Sequence, residues 1–191
     1  MNQKFAVRDL VLISLFTALT AIMAYIVIPM PGGLPPITGQ SFAVMLAGLL
    51  LGAHKGAMSQ IIYVLLGMAG MPVFAGGTAG AGVLAGPTGG FIWGFILGAF
   101  VIGKIAEMSK QRSLPVLYLA AVLGGIVAVY TPGILQMARF LDMPVYNGVV
   151  AMLPFIPGDL VKVAVAGPLA LRILGSLPAA YTTTTAKPNT Q

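Results

Sequence analysis

Long apolar runs broken by short polar or Gly/Pro-rich stretches dominate this chain. Leu10 to Ala53 contains no charged residue, and six segments, about 8–28, 37–53, 56–71, 88–107, 114–137 and 149–172, read as bilayer-crossing helices. A spanning helix needs about 20 apolar residues at roughly 1.5 Å rise each. The second and third segments are shorter, so they either pair steeply inside a bundle or share the membrane with an adjoining loop. The pattern predicts an all-α integral membrane protein, a six-transmembrane-helix bundle forming one domain over residues 1–180. The polar, Thr-rich stretch 181–191 reads as a disordered cytoplasmic tail.

Composition agrees: 58% of residues are hydrophobic, mean hydropathy is +0.98 and only 7% are charged. Where the charges fall sets an orientation. An even number of spans puts both termini on one side, which then holds Lys4, Arg8, Lys55, Lys104, Lys110, Arg112, Arg172 and Lys187. The other side holds Arg139 beside Asp142. An excess of Lys and Arg marks the cytoplasmic side, so both termini are expected there, in a multi-pass protein of the cytoplasmic membrane. The net charge of +6 follows from this asymmetry and does not indicate nucleic-acid binding, for which basic and aromatic residues would interleave.

Several chemistries are excluded by composition. Without cysteine there is no disulfide framework and no thiolate metal site, and the single histidine, His54, cannot build a multi-histidine one. His54 reads as a solvated residue at a cytoplasmic turn. Lys4 and Arg8 ahead of an apolar run resemble a signal peptide, but Asp9 and the length of the run favour a retained first helix. Gly98-x4-Gly103-Lys104 imitates a P-loop, yet Ile105 stands where a magnesium-binding hydroxyl is needed and the segment lies late in a helix. Gly77-Thr78-Ala79-Gly80-Ala81-Gly82 likewise lacks the strand and ribose-binding acid of a dinucleotide site. ATP hydrolysis by this chain is not expected.

Two loops differ from the short basic ones. Pro29 to Pro36 is stiff and cannot continue a helix. Gly70 to Gly90 is glycine-rich and uncharged, so it lacks the side chains of a solvated loop. It is expected to form a lid over the outer end of the bundle, able to change shape at its glycines.

The chemistry concentrates in the sixth span, where Asp159 and Lys162 interrupt Val149 to Leu171. Charges inside a bilayer cost several kcal/mol unless they meet a partner, a cavity or a ligand. Pro157-Gly158-Asp159 resembles a helix start, which sets Asp159 at ~3 Å and Lys162 at ~8 Å along the axis. Spacing of three puts both on one helix face. In the structural alternative, Asp159 complements the helix dipole while Lys162 snorkels outward. In the functional one, an acceptor and a donor line an outward-opening pocket suited to a neutral amide or ureido group. Gln40, Thr38 and Ser41 open the second span, Thr88 opens the fourth, and Tyr130 and Gln136 lie in the outer half of the fifth. Gln40 serves equally well as helix–helix glue. Phe74, Phe91 and Trp93 suit apolar walls or interfacial anchors, and the methionines suit packing. On the first helix, Thr17-x3-Ala21 and Thr20-x3-Ala24 permit close approach of another helix, from a partner or from the same bundle.

Four segments resemble signature segments of the BioY family: Pro35-Pro36-Ile37-Thr38-Gly39-Gln40-Ser41, Val73-Phe74-Ala75-Gly76-Gly77, Gly86-Pro87-Thr88-Gly89-Gly90-Phe91 and Pro154-Phe155-Ile156-Pro157-Gly158-Asp159-Leu160-Val161-Lys162. The resemblance covers about residues 10 to 175. It implies the biotin-specific substrate-capture (S) component of an energy-coupling factor (ECF) vitamin transporter, a non-enzymatic six-helix bundle binding biotin from outside. Implied partners are a transmembrane coupling (T) component and two cytoplasmic ABC ATPases. Family members carry Ala-x3-Ala on the first helix for docking the coupling protein, so Thr17, Ala21, Thr20 and Ala24 are the matching positions, with Thr replacing one Ala of each pair. Biotin's ureido ring offers N–H donors and one acceptor. The expected arrangement has Asp159 and Lys162 holding that ring, Phe74 and the glycine segment closing over it, and Gln40 and Tyr130 nearby. Backbone N–H groups around Gly86, Thr88 and Gly89 would meet the carboxylate. Sequence leaves open which end of biotin meets Lys162. A self-sufficient secondary transporter of a small polar solute is the alternative, though no pair of broken helices repeats in the two halves. An intramembrane enzyme would need a second acid, base or nucleophile at the depth of Asp159.

Overall fold

The computed structural model describes residues 6–30, 34–109 and 113–176. The expected tail at 181–191 and the cations Lys4, Lys110, Arg112 and Lys187 lie outside the described residues.

The fold is a helical bundle. Helix α1 (Val7–Met23) ends five residues before the expected limit of 28, because β-branched Ile26, Val27 and Ile28 run into Pro29. Strand β1 (Val27–Ile28) pairs antiparallel with β2 (Ile37–Thr38), Val27 opposite Thr38. Helices α2 (Gln40–Leu51) and α3 (Ala53–Met68) meet at Gly52, whose φ of +81° favours glycine. A Cβ there would strike Glu107, whose carboxylate accepts the Ala53 N–H at 2.9 Å.

With 12 and 16 residues, α2 and α3 are about 18 and 24 Å long, less than the ~30 Å hydrocarbon core. The glycine-rich segment that follows α3 folds back onto the bundle. It contains a 3₁₀ turn (Ala75–Gly77) and α4 (Ala81–Ala85), and it buries Val73, Phe74 and Leu84 in the core.

Helix α5 (Gly89–Met108) lies at the centre of the bundle, packed on α2, α3 and the helix that follows. Gly90, Gly94 and Gly98 recur at spacing four. A Cβ on them would sit 2.2, 2.5 and 2.8 Å from the carbonyl oxygens of Pro132, Val129 and Gly124. Small residues let the backbones touch, as membrane helices require when no hydrophobic force separates lipid from protein. Gly98 and Gly103, the imitation P-loop, are both such packing positions, Gly103 against Gly52 and Ala53.

The fifth span is one continuous helix built from α6 (Leu114–Val122), a π-helical segment (Leu123–Ala128) and α7 (Val129–Phe140). The widened turn ends at Ala128, where Pro132 would otherwise leave a carbonyl unpaired and press its ring against it. The last span runs through α8 (Val145–Met152), a 3₁₀ turn (Leu153–Phe155) and α9 (Ile156–Ser176). It therefore begins before the expected 149, and Pro157 is the second residue of α9, close to the expected start. Residues 89–108, 114–140 and 145–176 are long and apolar enough to cross a membrane, and α2 is a shorter apolar helix. The chain is a multi-pass membrane protein.

Of the four small positions expected to dock a partner, Thr17, Thr20 and Ala24 (just past the end of α1) are 4%, 0% and 0% exposed, and Ala21 is partly buried. Thr17 Oγ1 lies 2.9 Å from the Ser59 carbonyl, and Gln60 Nε2 donates to Thr20 Oγ1 at 3.2 Å, so this face closes on α3. The two threonines thus pack within the bundle. At the same end of the bundle Lys55 Nζ pairs with Asp9 at 2.6 Å, and His54 is an exposed residue in the first turn of α3 with its ring edge-on to Phe100.

Candidate functional site

A cavity of about 420 Å³ opens among the first turns of α2, α5 and α9, the start of α7 and the segment 75–88. That volume lies within the range of small-molecule sites, roughly 300–1,000 Å³. Its walls are mainly apolar: Pro35, Ile37, Phe91, Phe95, Met152 and Phe155 all face it.

One polar cluster interrupts those walls. The α9 helix begins at Ile156, so Asp159 falls in its first turn, where a carboxylate also complements the helix dipole. Asp159 is 5% exposed, and Lys162 one turn later folds back to it with Nζ 2.8 Å from Oδ1. Lys162 does not snorkel outward. Its Nζ also donates to Ser41 Oγ at 2.8 Å, and Ser41 Oγ in turn lies 3.3 Å from Asp159 Oδ1. Tyr130 Oη donates to the other carboxylate oxygen at 2.5 Å. A carboxylate offers roughly four acceptor sites and an ammonium three donors. Three of the former and two of the latter are engaged by protein, which leaves one acceptor and one donor side by side for a ligand.

Gln40 lines the cavity but works mostly as a brace. Its Oε1 accepts from Thr38 Oγ1 at 2.9 Å and its Nε2 donates to Tyr63 Oη, which donates to the Val73 carbonyl at 2.9 Å. A chain of hydrogen bonds thus ties the pocket wall to the root of the glycine-rich segment. The other side of that segment is held by Gln136, whose single NH₂ donates to the carbonyls of Leu84 and Gly86 at 2.7 Å each. The segment is a cap fastened at several points, with Tyr25 Oη adding a bond to the Pro72 carbonyl at 2.6 Å.

Of the residues expected at the site, Asp159, Lys162, Gln40, Gly86, Thr88 and Tyr130 line the cavity. Phe74 does not. It is wholly buried, edge-on to Tyr63 at 5.6 Å, and its ring occupies the space that a Cβ at Gly67 would need. Gly89 is also displaced from the lining, because its Cα sits against the Leu84 carbonyl, 1.8 Å from where a Cβ would be. Trp93 is 43% exposed and outside the cavity lining, whereas Phe91 faces it and meets Tyr130 edge-on at 6.0 Å. Phe95, Met152 and Phe155 line the cavity as well, beyond the residues expected there. The spacings Phe91-x3-Phe95 and Phe155-x3-Asp159 would have placed two of them on the pocket faces of their helices.

The model of the BioY family matches residues 1–179. The biotin transporter BioY of Rhizobium etli is 39% identical over 178 residues, covering 90% of this chain and 95% of that protein. Its namesake in Thermotoga maritima is 42% identical over 167 residues, covering 87% and 95%. Among solved structures, the S-component for biotin from an ECF-type ABC transporter superposes with a TM-score of 0.85 at 26% identity, over 93% of this chain and 96% of that one.

Proposed function

The chain belongs to the BioY family, and we propose from this that it is the biotin-capturing S component of an ECF-type vitamin transporter. The observation that carries the reading is the Asp159–Lys162 pair at an apolar cavity, with one acceptor and one donor left for a ligand. A ureido ring satisfies both at once, its N–H on Asp159 and its C=O on Lys162. Biotin's thiophane ring and valeryl chain match walls such as Phe91, Phe95 and Met152. Its carboxylate then reaches toward Thr88 and the backbone at Gly86, beneath the cap fastened by Gln136.

Capture is a binding task, and the side chains around the cavity include one carboxylate and one ammonium already paired to each other. The energy for uptake comes, on this reading, from a coupling protein and two ABC ATPases on the cytoplasmic side of the cell membrane. With Thr17 and Thr20 closed on α3, the coupling protein meets α1 through the exposed side that carries Val11, Leu15 and Ile22. The test is calorimetric titration of detergent-purified protein with biotin, with thiamine and riboflavin as controls. Tight binding of biotin alone, lost in Asp159→Ala and Lys162→Ala, supports both substrate and site. Well-folded protein that ignores biotin rules the reading out.

A further inference from the structure

A second concavity, of about 350 Å³, lies on the outside of the bundle. It is lined by Thr131, Ile134 and Leu135 of α7, by Val145 and Val149 of α8, and by Tyr130. Tyr130 is the one residue that lines both this groove and the ligand cavity, so its ring is a common wall between them.

We propose that this groove binds one membrane phospholipid with an ethanolamine headgroup, and that its acyl chain braces Tyr130 against Asp159. Three observations select this occupant. First, both helices that form the groove belong to segments long and apolar enough to cross the bilayer, residues 114–140 and 145–176, and Leu135, Val145 and Val149 are exposed. Lipid tails are the medium there. Second, a cation stands beyond one end of the groove on the same helix. Arg139 follows Thr131 and Leu135 at spacing four on the same exposed stripe of α7. It lies about 14 Å along the helix from Tyr130. The 27-residue helix is about 40 Å long, longer than the ~30 Å hydrocarbon core, so a residue beside its end stands at headgroup depth. Third, Asp142 stands three residues on, in the turn that reverses the chain, and neither it nor Arg139 takes part in an ion pair among the described residues. A guanidinium suits the phosphodiester and the carboxylate suits a primary ammonium. A headgroup that is purely anionic would meet repulsion from Asp142, and a choline headgroup has no N–H to give it.

The consequence lies at Tyr130. Its hydroxyl, donating to Asp159 Oδ2, helps to fix the orientation of the carboxylate that faces the cavity. A chain packed along the outer side of the ring restricts the ring to that position. Removing lipid therefore loosens the pocket from outside, through Tyr130 alone. This second part rests on the biotin reading. The lipid site itself does not.

The test uses full-length protein purified in detergent and stripped of lipid. Phosphatidylethanolamine carrying a diazirine on one acyl chain is added and photolysed, and adducts are mapped by mass spectrometry. The expected result is labelling concentrated on residues 126–149, reduced at least threefold by Arg139→Ala and abolished by Val149→Trp, which fills the groove. Phosphatidylcholine and phosphatidylglycerol probes should label the same residues more weakly. Labelling spread evenly over all exposed helices, or unchanged by both variants, overturns the site. In parallel, biotin titrations of the wild type should tighten several-fold as phosphatidylethanolamine is added. In Val149→Trp the affinity should be independent of lipid, because the indole takes the place of the chain. Lipid-independent biotin affinity in the wild type, with the labelling as expected, overturns the bracing of Tyr130. Wild type that binds no biotin at any lipid content refutes the transporter reading and leaves the labelling result to decide the lipid site.

Discussion

Tyr130 and Asp159, 29 residues apart, meet through a hydrogen bond of 2.5 Å that joins the fifth span to the sixth in the wall of the pocket. The π-helical segment ending at Ala128 sets the rotation of α7 that makes this contact, since a widened turn shifts every later residue around the helix axis. Tyr130 is therefore a positioning residue for Asp159 as well as a wall of the cavity. Tyr130→Phe keeps the ring and its contact with Phe91 but deletes the donor. A hydrogen bond to a charged group contributes roughly 1.5–3 kcal/mol. Biotin affinity is expected to fall about tenfold by calorimetry, together with a lower melting temperature. A larger loss than that of Asp159→Asn would mean that the phenol itself contacts the ligand.

Asp159→Asn replaces an acceptor-only group by one that can present N–H to the ligand's own N–H, and it leaves Lys162 without its counter-charge. Ser41 still accepts one proton of the ammonium, which limits structural damage. The expected loss is about ten- to a hundred-fold in biotin affinity, on the scale of one charge-assisted hydrogen bond. Lys162→Met should cost a similar factor. The double variant should cost less than the sum of the two, because the partners act as one unit. Strictly additive losses in the titrations would show that the two groups serve separate parts of the ligand.

The cap offers a kinetic prediction. Gln136→Leu keeps the volume near that of the amide but leaves the carbonyls of Leu84 and Gly86 without their donor. Backbone protection over residues 81–88 should drop by a factor of ten or more in hydrogen exchange, while α2 and α9 keep theirs. Biotin should dissociate faster with little change in association. Unaltered exchange in this segment would mean that its fastening depends on Tyr25 and Tyr63 instead.

Close helix contact gives a prediction about stability. Gly94→Val places a branched side chain where even a Cβ would lie 2.5 Å from the Val129 carbonyl oxygen, so α5 and α7 must separate. Overpacking of this kind costs about 1–3 kcal/mol. A lower melting temperature and less monodisperse protein are expected in detergent. Gly175→Ala, with open space around the added carbon, is the control and should melt as the parent does or slightly higher.

The ion pair, the helical spans and the glycine-rich cap could be read from the chain because each breaks a strong local expectation. A charge within an apolar run has few structural excuses, and Pro157 marked the start of α9 almost to the residue. Other features depend on which helix lies opposite, and one-dimensional pattern carries no such information. Thr17 and Thr20 have the spacing of a docking face, yet Ser59 and Gln60 on α3 happen to complement them. Phe74 sits in a signature segment, yet its ring turns toward Tyr63 and away from the cavity because Gly67 leaves it room. Phe155 and Met152 became pocket walls only once the 3₁₀ turn at Leu153–Phe155 fixed their direction.

Tyr63 is the strongest test of whether pocket and cap act together. It is fully buried, its hydroxyl accepts from Gln40 and donates to the Val73 carbonyl, and its ring packs on Phe74 and Phe95. Tyr63→Phe preserves all the ring contacts and removes one oxygen. Two buried groups then lose a partner, the Gln40 amide at the cavity wall and the carbonyl at the root of the cap. Each unsatisfied group costs roughly 1–3 kcal/mol, so a clear drop in melting temperature is expected. If the chain from Thr38 through Gln40 to Val73 transmits the position of the cap, biotin affinity should fall several-fold although Tyr63 is not part of the cavity lining. Hydrogen exchange should rise over residues 70–78 in the same variant. Reduced stability with unchanged affinity and unchanged exchange in that stretch would assign Tyr63 to the core alone.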